Sequence, residues 1–421
     1  MASLELINYQ QNRIKVNGEI VELTKLKRKP IKGLPQILWE NNSVWPEANL
    51  WALDQAAPCK LNIKTVRSNM SHLLSYAKWL ESESLDWRYF PERQSERCLT
   101  RYRGALVAAR NEGELAPSTT SKRMSSVIRF YKWVELMGLI SPQWPMWENR
   151  IIGIKITNKF GFKHTMRVES TDLAIPNRNV AGAIDLEDGV LPVSIDSMKE
   201  ILDLAEKSSS IELSLMLKIG FFTGLRLGSI LDLKLQTLQK ATTVPDVGWK
   251  RLEVGPRARP PVATKKNVYG KVPIPEELLK MLLEYSISTR HLKRQALANN
   301  HDKDLLFLTK FGNSYSGVDS RAVNVEMSRL RTAGFTLGLK GLNGFHFHRT
   351  RATFATEMIR VALRFMDVGD AIDFVKKACL HKDDSTTLKY IKFIENNKAM
   401  ADAANTFSNA FFGVEMSSAD G

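Results

Sequence analysis

Apolar residues recur at helical spacing in two stretches of the N-terminal third of the chain. In KTVRSNMSHLLSYAKWLESE the apolar stripe is formed by Val66, Met70, Leu73, Ala77 and Leu80. In APSTTSKRMSSVIRFYKWVELMG it is formed by Met124, Val127, Ile128, Tyr131 and Val134. Side chains three or four residues apart share one face of a helix, so both stretches are predicted to be helical. A third helix is predicted between them, in ERQSERCLTRYRGALVAARNEG, and residues 57–140 are expected to form a small helical domain.

Two residues mark the ends of the helix predicted in APSTTSKRMSSVIRFYKWVELMG. Ser118 is predicted as its N-cap and Gly138 as the residue that ends it. A different face of the same helix carries Lys122, Arg129 and Lys132. A basic face is either a solvated surface or a surface that contacts DNA phosphates, and the pattern alone leaves both interpretations open.

Residues 1–56 are predicted to be an N-terminal extension. Asn17 and Gly18 lie between two short β-prone runs, which indicates a two-residue hairpin turn. A basic cluster follows, formed by Lys25, Lys27, Arg28, Lys29 and Lys32. This cluster is either a solvated loop or an arm that contacts phosphates.

The segment 141–190 contains prolines and glycines and little periodicity, apart from a β-prone run, RIIGIKI. A structureless stretch of this length is unusual inside a compact domain. The segment is therefore predicted to be a linker between two domains.

Residues 191–393 are predicted to form the larger domain. A helix begins at Ser194 or Asp196, and two buried helical segments follow, with a turn at the Thr-Gly pair of FFTGLR. The pieces WKRLEV, PVATKK and KVPIP are β-prone, and most of the rest is helical. The tail, 394–421, is predicted to be an amphipathic helix that docks on its own chain or on a partner. The expected fold is mainly α with a small β-sheet: a helical domain followed by a mixed α+β domain.

The charge of the chain points to a polyanionic partner. The 421 residues include 60 Lys and Arg against 45 Asp and Glu, a net charge of +15. A surplus of this size is most simply explained by nucleic acid binding, although a basic protein without such a partner is the alternative.

The cysteines and the N-terminus argue for a reducing compartment. Cys59, Cys98 and Cys379 are far apart and lack the spacing of metal ligands, so neither a disulfide framework nor a zinc site is expected. The N-terminal residues lack the apolar core of a signal peptide, and no apolar run is long enough to span a bilayer. A cytosolic protein without a membrane partner is expected.

Four motifs in the C-terminal half carry side chains suited to phosphate chemistry. Tyr390 lies nine residues after His381 in the last of them, and the third contains two overlapping H-x-x-R frames. The side chains are Arg226 in TGLRLGSILDLK, Lys265 and Lys266 in ATKKNVYGKVPIP, His346 with Arg349 or His348 with Arg351 in FHFHRTRATFAT, and His381 with Tyr390 in CLHKDDSTTLKYIKF.

Cutting a phosphodiester with a protein nucleophile makes three demands on a site. Charge on the nonbridging oxygens must be stabilised, the nucleophile must lose a proton, and the leaving oxygen must gain one. Arginine suits the first task because its planar fork gives paired hydrogen bonds to phosphate and keeps its charge. Histidine and lysine suit the proton transfers. A tyrosine, with a pKa of about 10, needs activation by its surroundings.

Local sequence already constrains the side chains of two of these motifs. Arg226 lies between Leu225 and Leu227 after a Thr-Gly turn, so burial is expected, and a buried arginine needs a fixed anion. Lys265 and Lys266 are expected on a hairpin strand, where adjacent side chains point to opposite faces. Only one of the two lysines would then enter a site.

In order and spacing these motifs resemble the active site of the tyrosine recombinases, the phage integrase family. The resemblance implies that Tyr390 is the nucleophile and that Arg226, Arg351 and His381 hold the phosphate. The family pattern H-x-L-R-H-T-F-A-T, aligned on RATFAT, selects His348 and Arg351, with His348 as proton acceptor or donor.

The resemblance also bears on the lysine motif and on positions next to the other motifs. The resemblance implies a lysine that protonates the leaving 5′ oxygen, and the TK start and the eight-residue gap to Pro273 favour Lys265 over Lys266. The chain departs from the family at four positions: Ser229 for an acidic residue, Thr350 for leucine, Ala352 for His or Lys, and Leu380 for glycine.

The resemblance implies a site-specific DNA recombinase, the integrase of a mobile element, that works through a 3′-phosphotyrosyl intermediate without metal or other cofactor. Its partner is double-stranded DNA, and its working state is a homotetramer on two DNA sites in the bacterial cytosol. Accessory DNA-bending proteins are candidate partners, and the tail helix is a candidate for exchange between protomers. The expected DNA contacts are Lys122, Arg129, Lys132 and Lys266.

Two alternatives remain at this point. A type IB topoisomerase or a telomere resolvase would use the same chemistry. A DNA-binding protein on this fold that no longer cuts is the alternative from another class, suggested by the departures at Ser229, Thr350 and Leu380.

Overall fold

The chain forms two compact units, Met1–Ala181 and Gly182–Gly421. The boundary between them falls inside the segment predicted to be a linker. The computed structural model describes residues 1–17, 20–25, 30–57, 61–157, 163–177, 186, 189–244, 248–317, 320–384 and 386–396. The tail beyond residue 396 lies outside the described residues, so the predicted tail helix stays a prediction.

The first unit is built on helices that bury the predicted apolar stripes. Every residue of both stripes is buried, and the three predicted helices are present. The helices are α1 Pro46–Ala56, α2 Ile63–Ser82, α3 Cys98–Asn111 and α4 Pro117–Leu136.

The start of α4 differs from the prediction. Ala116, not Ser118, is the N-cap, and Pro117 occupies the first helical position. Proline is favoured there because its missing N–H would have no partner inside the helix and its φ is already helical. Gly138 has a φ of +66° and follows the C-cap, so the predicted end of the helix is confirmed.

The strands of the first unit form three antiparallel pairs: β1 with β4, β2 with β3, and β5 with β6. The second pair contains the runs that flank the predicted hairpin turn. Gly18 of that turn and Lys27, Arg28 and Lys29 of the basic cluster lie outside the described residues. The strands are β1 Ser3–Tyr9, β2 Asn12–Asn17, β3 Ile20–Lys25, β4 Ile31–Leu38, β5 Asn149–Thr157 and β6 Lys163–Thr171.

The segment predicted to be an extension contributes to the core of the first unit. Leu34, Ile37 and Trp45 are almost fully buried in one cluster with the stripes of α2 and α4. Burial of large side chains is the main source of folding free energy, so the described residues 30–56 are an integral part of this unit.

The second unit is mainly helical with one three-stranded sheet in the order β7-β8-β9. Its helices are α5 Ile195–Ser208, α6 Ile211–Thr223, α7 Leu227–Ile230, α8 Leu235–Gln239, α9 Glu276–Ser286, α10 Thr289–Leu297, α11 Ala322–Thr336, α12 His348–Ala362 and α13 Val368–Cys379. Its strands are β7 Thr242–Thr243, β8 Trp249–Val254 and β9 Gly270–Pro275. Residues 386–396 are also helical.

Several predicted signals of the second unit are confirmed. Ser194 caps α5 by accepting from the amide of Ser197. The helix α6 is apolar on nearly every side and is buried around its whole circumference, as predicted for the segment before the Thr-Gly turn. The piece PVATKK is the exception, because it forms only an isolated bridge at Val262 and then a turn.

The structure also bears on the predictions about the cysteines and about membrane spans. Cys98 and Cys379 are buried and free, and Cys59 lies outside the described residues. Within the part of the chain that the structure describes, no helix combines the length and the apolar character needed to cross a membrane.

Candidate active site

The turn after α6 positions the first arginine. Gly224 ends the helix in the left-handed region, with φ +64°, a conformation that glycine adopts without a steric penalty. A Cβ atom at this position would lie 2.4 Å from a ring carbon of Phe354 on α12, so the turn and α12 approach closely only because glycine is present. Arg226 follows in extended conformation as the N-cap of α7 and is half-buried.

The second arginine comes from α12 and reaches the same turn. Arg351 is only 2% exposed, and its Nη1 donates to the backbone carbonyl of Gly224 at 2.6 Å. Arg226 is two residues further along the chain, so this hydrogen bond joins the segments that carry the two arginines. A guanidinium is costly to bury unless its N–H groups are used, and the carbonyl uses one of them.

The other H-x-x-R frame makes different contacts. Arg349 donates to the carbonyls of Leu191 and Pro192, at 3.0 and 3.2 Å, and so ties the start of α12 to the segment before α5. His346 is exposed. His348 is half-buried at the first position of α12, one helical turn before Arg351.

The two candidate lysines lie in the connection between β8 and β9. They belong to a short 3₁₀ turn, Lys265–Asn267, in which Lys266 has a φ of +61°. Both side chains are exposed and both line the same cavity. The predicted strand placement is therefore wrong, and the argument that only one lysine can enter the site does not apply, because side chains in a turn do not alternate as they do along a strand.

His381 and Tyr390 are brought together by the turn that follows α13. Leu380 adopts φ +54° at the C-cap, and the amide of His381 donates to the carbonyl of Lys376 at 2.9 Å. The imidazole Nδ1 of His381 lies 2.9 Å from the hydroxyl oxygen of Thr387. The rings of His381 and Tyr390 are nearly parallel, at 5°, with centroids 6.0 Å apart.

Tyr390 itself is buried. Its side chain is 0% exposed and packs in a cluster with Phe354, Ala355 and Ile359 of α12. An ion pair between Lys376 and Asp384 joins the last turn of α13 to the start of the segment that carries the tyrosine. The phenol therefore lies beside His381 but is shielded from solvent.

One cavity of about 220 Å³ collects much of the predicted site. Arg226, both lysines and His381 line it, whereas Arg351, His348 and Tyr390 do not. Its five basic side chains are Arg226, Lys265, Lys266, Lys382 and Lys389, against one acidic side chain, Asp383. The motifs did not predict Lys382 and Lys389 as lining residues, although their positions next to His381 and Tyr390 were a usable signal.

Comparison with known proteins identifies the second unit. The model of the phage integrase family matches residues 193–396. These residues belong to the phage integrase family. The comparison with curated proteins yields no match.

Among solved structures, this chain is similar to the XerH site-specific recombinase in its post-cleavage complex with palindromic difH substrate. Identity is 15%, the alignment covers 86% of this chain and 85% of XerH, and the TM-score is 0.51. Other similar structures are the Tn1549 transposon integrase with circular intermediate DNA (14% identity, 82% and 94% of the two chains, TM-score 0.47) and a lambda integrase dimer bound to a COC′ core site (16%, 82% and 94%, 0.45).

The predictions of the family, of the fold class and of a site-specific tyrosine recombinase, a DNA strand transferase, are confirmed. The roles of individual residues and the domain boundaries stay predictions.

The integrase domain accommodates its departures from the family pattern locally. Ser229 is buried in α7, and its amide donates to the carbonyl of Arg226 at 2.8 Å. Leu380 carries the left-handed conformation that a glycine would adopt more easily, at a cost of about 1–2 kcal/mol. Its buried side chain packs on Gly270, where a Cβ atom would lie 2.5 Å from a Leu380 methyl carbon.

The basic face predicted on α4 is present in the first unit. Lys122, Arg129 and Lys132 are all exposed, and Arg129 donates to the side-chain oxygen of Asn69 on α2 at 3.2 Å. Burial lowers the pKa of His72 on α2, and the positive charges of Arg123, Lys122 and Arg129 lower it further. The surface shared by α2 and α4 is therefore electropositive.

Proposed function

We propose that the chain is a DNA integrase that cuts and rejoins duplex DNA through a covalent 3′-phosphotyrosyl link to Tyr390. The observation that carries the proposal is the cavity of the second unit, where Arg226, Lys265 and His381 meet although they lie far apart in the sequence. Its excess of basic over acidic lining residues matches the charge of a DNA phosphate.

In the proposed reaction, Arg226 and Arg351 stabilise the charge that develops on the nonbridging oxygens. The hydrogen bond from Arg351 to Gly224 supports this pairing, because it fixes the second guanidinium next to the backbone turn that carries the first. Fixed donors aimed at developing charge are usually the largest single contribution to catalysis. His381, held through Thr387, contributes a further ring nitrogen.

Proton transfer completes the step. The bond from the Tyr390 oxygen to phosphorus forms while the bond from phosphorus to the 5′ oxygen breaks. His348 takes the phenolic proton, and Lys265 gives a proton to the departing 5′ oxygen. Attack by the 5′ hydroxyl of a partner strand reverses both transfers, so the bond energy stays in the covalent link and no nucleotide cofactor is required.

The burial of Tyr390 adds a conformational step to this scheme. A fully shielded phenol cannot reach a phosphate that binds in an open cavity, so we infer that the segment after α13 shifts when DNA binds. The ion pair between Lys376 and Asp384 restrains that segment. Binding energy from DNA is available to offset the loss of such contacts.

Duplex DNA is the partner that this proposal requires. The XerH structure was determined with difH substrate bound, and the electropositive surface of α2 and α4 offers further phosphate contacts through Lys122, Arg129 and Lys132. We extend the proposal to a homotetramer on two DNA sites, the assembly in which two duplexes exchange strands.

The covalent link can be tested with a nicked suicide substrate, from which the short cleaved fragment diffuses away and leaves the protein trapped on DNA. Wild type is expected to form an adduct that survives denaturing electrophoresis, and Tyr390→Phe is expected to form none. The matched control is Tyr315→Phe, which removes the same hydroxyl from another buried tyrosine of the second unit.

An adduct of normal yield with Tyr390→Phe would assign the nucleophile to another residue. Stable binding of the same DNA without any adduct from wild type would instead identify a DNA-binding protein that has lost the cleavage reaction.

A further inference from the structure

The connection between β8 and β9 needs a fixed backbone if either of its lysines is to reach a reacting phosphate. Lysine is a flexible point charge on a four-carbon stem, so the place of its ammonium depends on where the backbone is anchored. Two anchors lie within the connection itself. Gly255 and Val262 exchange backbone hydrogen bonds of 3.0 and 3.2 Å, and the Thr264 hydroxyl donates to the Val268 carbonyl at 2.6 Å.

The third anchor comes from outside the connection. The Oδ2 of Asp232 accepts from the backbone amide of Ala263 at 2.6 Å, two residues before Lys265. Hydrogen bonds to a carboxylate are roughly twice as strong as neutral ones. Of the contacts described for residues 261–264, this is the one that ties the turn to the segment carrying Arg226.

The position of Asp232 in the sequence explains the effect of this contact. Asp232 follows α7 and lies six residues after Arg226, and its Oδ1 is 2.6 Å from the Nζ of Lys234. Both side chains are largely shielded, with 26% and 16% exposed, which strengthens an ion pair relative to one in open water. The carboxylate is thus oriented by one charge and offers its second oxygen to the lysine turn.

We propose that Asp232 is a positioning residue for the leaving-group proton donor. It holds the turn 263–267 against the segment of Arg226, so that Lys265 and the arginine approach the same phosphate. A displacement of about 1 Å in a reacting group can reduce a rate about a hundredfold, so a single anchor of this kind has a measurable effect. The inference rests on the proposed role of Lys265 as the donor.

A sulfur leaving group separates positioning from general stability. In a 5′-bridging phosphorothiolate the 5′ oxygen is replaced by sulfur, and the bond from the tyrosine oxygen to phosphorus forms as the phosphorus–sulfur bond breaks. The sulfur leaves with the electron pair as a thiolate, which needs no proton because a thiol has a pKa of only about 8.5. Cleavage of this substrate is therefore indifferent to a misplaced proton donor.

The expected results follow for single-turnover cleavage of the two substrates. Asp232→Ala should cleave the ordinary phosphate about 10–100 times more slowly than wild type and the phosphorothiolate at nearly the wild-type rate. Lys265→Ala should show the same pattern. Arg226→Ala should be slow on both substrates, because the charge on the nonbridging oxygens is unchanged.

Two further variants keep the test independent of folding. Asp232→Asn retains an acceptor for the Ala263 amide and should fall between wild type and Asp232→Ala. Glu253→Ala removes the ion pair to Lys271 across β8 and β9, 3.1 Å long, and should cleave both substrates normally.

The outcomes distinguish the inference from the function on which it rests. If Asp232→Ala cleaves both substrates equally slowly while the sulfur substrate restores the cleavage rate of Lys265→Ala, only the role of Asp232 is overturned. If the phosphorothiolate restores the cleavage rate of Asp232→Ala but not that of Lys265→Ala, the turn is positioned as inferred but the proton donor is a different group. Lys266 would then be the next residue to substitute. If the sulfur substrate restores the cleavage rate of neither variant, both the role of Asp232 and the role of Lys265 are overturned.

Discussion

The second unit contains two places where arginines gather, and they differ in what faces the positive charge. On α10, Arg290 and Arg294 lie 2.8 and 2.9 Å from the carboxylate of Glu212, a side chain that is 0% exposed. At the candidate active site, Arg351 donates to a backbone carbonyl, and the family's acidic position is the neutral Ser229. The first cluster carries its own anion, whereas in the second Arg226 lines a cavity.

This difference indicates which cluster serves the fold and which serves a ligand. A charge that is neutralised within the chain contributes to stability or specificity of folding and has little attraction left for a partner. A cavity lined by five basic side chains and one acidic side chain has a positive electrostatic potential that attracts a phosphate. The two clusters should therefore respond to substitution in opposite ways.

The largest expected effect is on stability, at the Glu212 cluster. Glu212→Ala leaves Arg294, which is 8% exposed, without its carboxylate partner, and should lower the free energy of unfolding by about 3–5 kcal/mol. Urea denaturation measures this. Cleavage per folded molecule should stay normal at low temperature.

A surface pair provides the control for that experiment. Glu206 is 65% exposed and lies 3.4 Å from Lys218, so Glu206→Ala should cost less than about 1 kcal/mol. A loss of cleavage by folded Glu212→Ala would contradict the separation of the two clusters.

Substitution of Arg351 should have the opposite result to substitution of Glu212, because its main effect should be on the cleavage rate. Arg351→Lys keeps the charge but loses the planar fork, and the rate of adduct formation should fall by about 10²–10³. The control is Arg349→Lys on the same helix, which alters contacts to the backbone carbonyls of Leu191, Pro192 and Asn343 and should cleave at a nearly normal rate. If Arg349→Lys cleaved slowly and Arg351→Lys cleaved normally, His346 and Arg349 would be the catalytic H-x-x-R pair.

The pH dependence of stability sharpens the comparison further. Burial acts to raise the pKa of Glu212, but hydrogen bonds from Arg290 and Tyr285 and the charge of Arg294 outweigh it, and the net pKa is lowered from 4.5. A depressed carboxyl pKa stabilises the fold above its unfolded value, and this contribution is lost as the pH falls through the lower folded value.

Wild type should therefore lose stability below pH 4.5 more steeply than Glu212→Gln, whose amide does not titrate. Unfolding free energies measured at a series of acidic pH values test this. Parallel pH profiles for the two proteins would show that Glu212 is not the group responsible.

The smallest expected effect concerns the basic face of α4. If Lys132 contacts a phosphate, Lys132→Ala should reduce the slope of log K against log salt concentration by about 1, equally on any DNA sequence. Arg93→Ala is the control, because Arg93 already pairs with Glu96 at 3.1 Å on the surface. Equal slopes for wild type and Lys132→Ala would indicate a solvated face.

The sequence predicted the local features of this molecule well, because they depend on neighbours in the chain. Helical periodicity located α2 and α4, and the Ser194 cap and the Thr-Gly turn were recognisable from residue type alone. The order of Arg226, Lys265, Arg351, His381 and Tyr390 pointed to one site by resemblance.

What the sequence did not predict depends on contacts between distant residues. The packing of residues 1–56 into the first core is set by strand pairing across about thirty residues. The presence of both lysines at one cavity depends on a turn with positive φ, and the link from Asp232 to Ala263 spans two elements. No local pattern encodes these approaches.

The central claim is that Arg226 and Arg351 act on the charge of one phosphate that Tyr390 attacks. A methylphosphonate at the scissile position tests it directly, because a methyl group replaces a nonbridging oxygen and removes the negative charge. We predict that Arg226→Ala and Arg351→Ala, which are slow on the ordinary phosphate, regain cleavage on this neutral substrate, and that Tyr390→Phe abolishes it in each case. The same deficit on both substrates for both arginine variants, or cleavage that persists without the Tyr390 hydroxyl, would contradict the account.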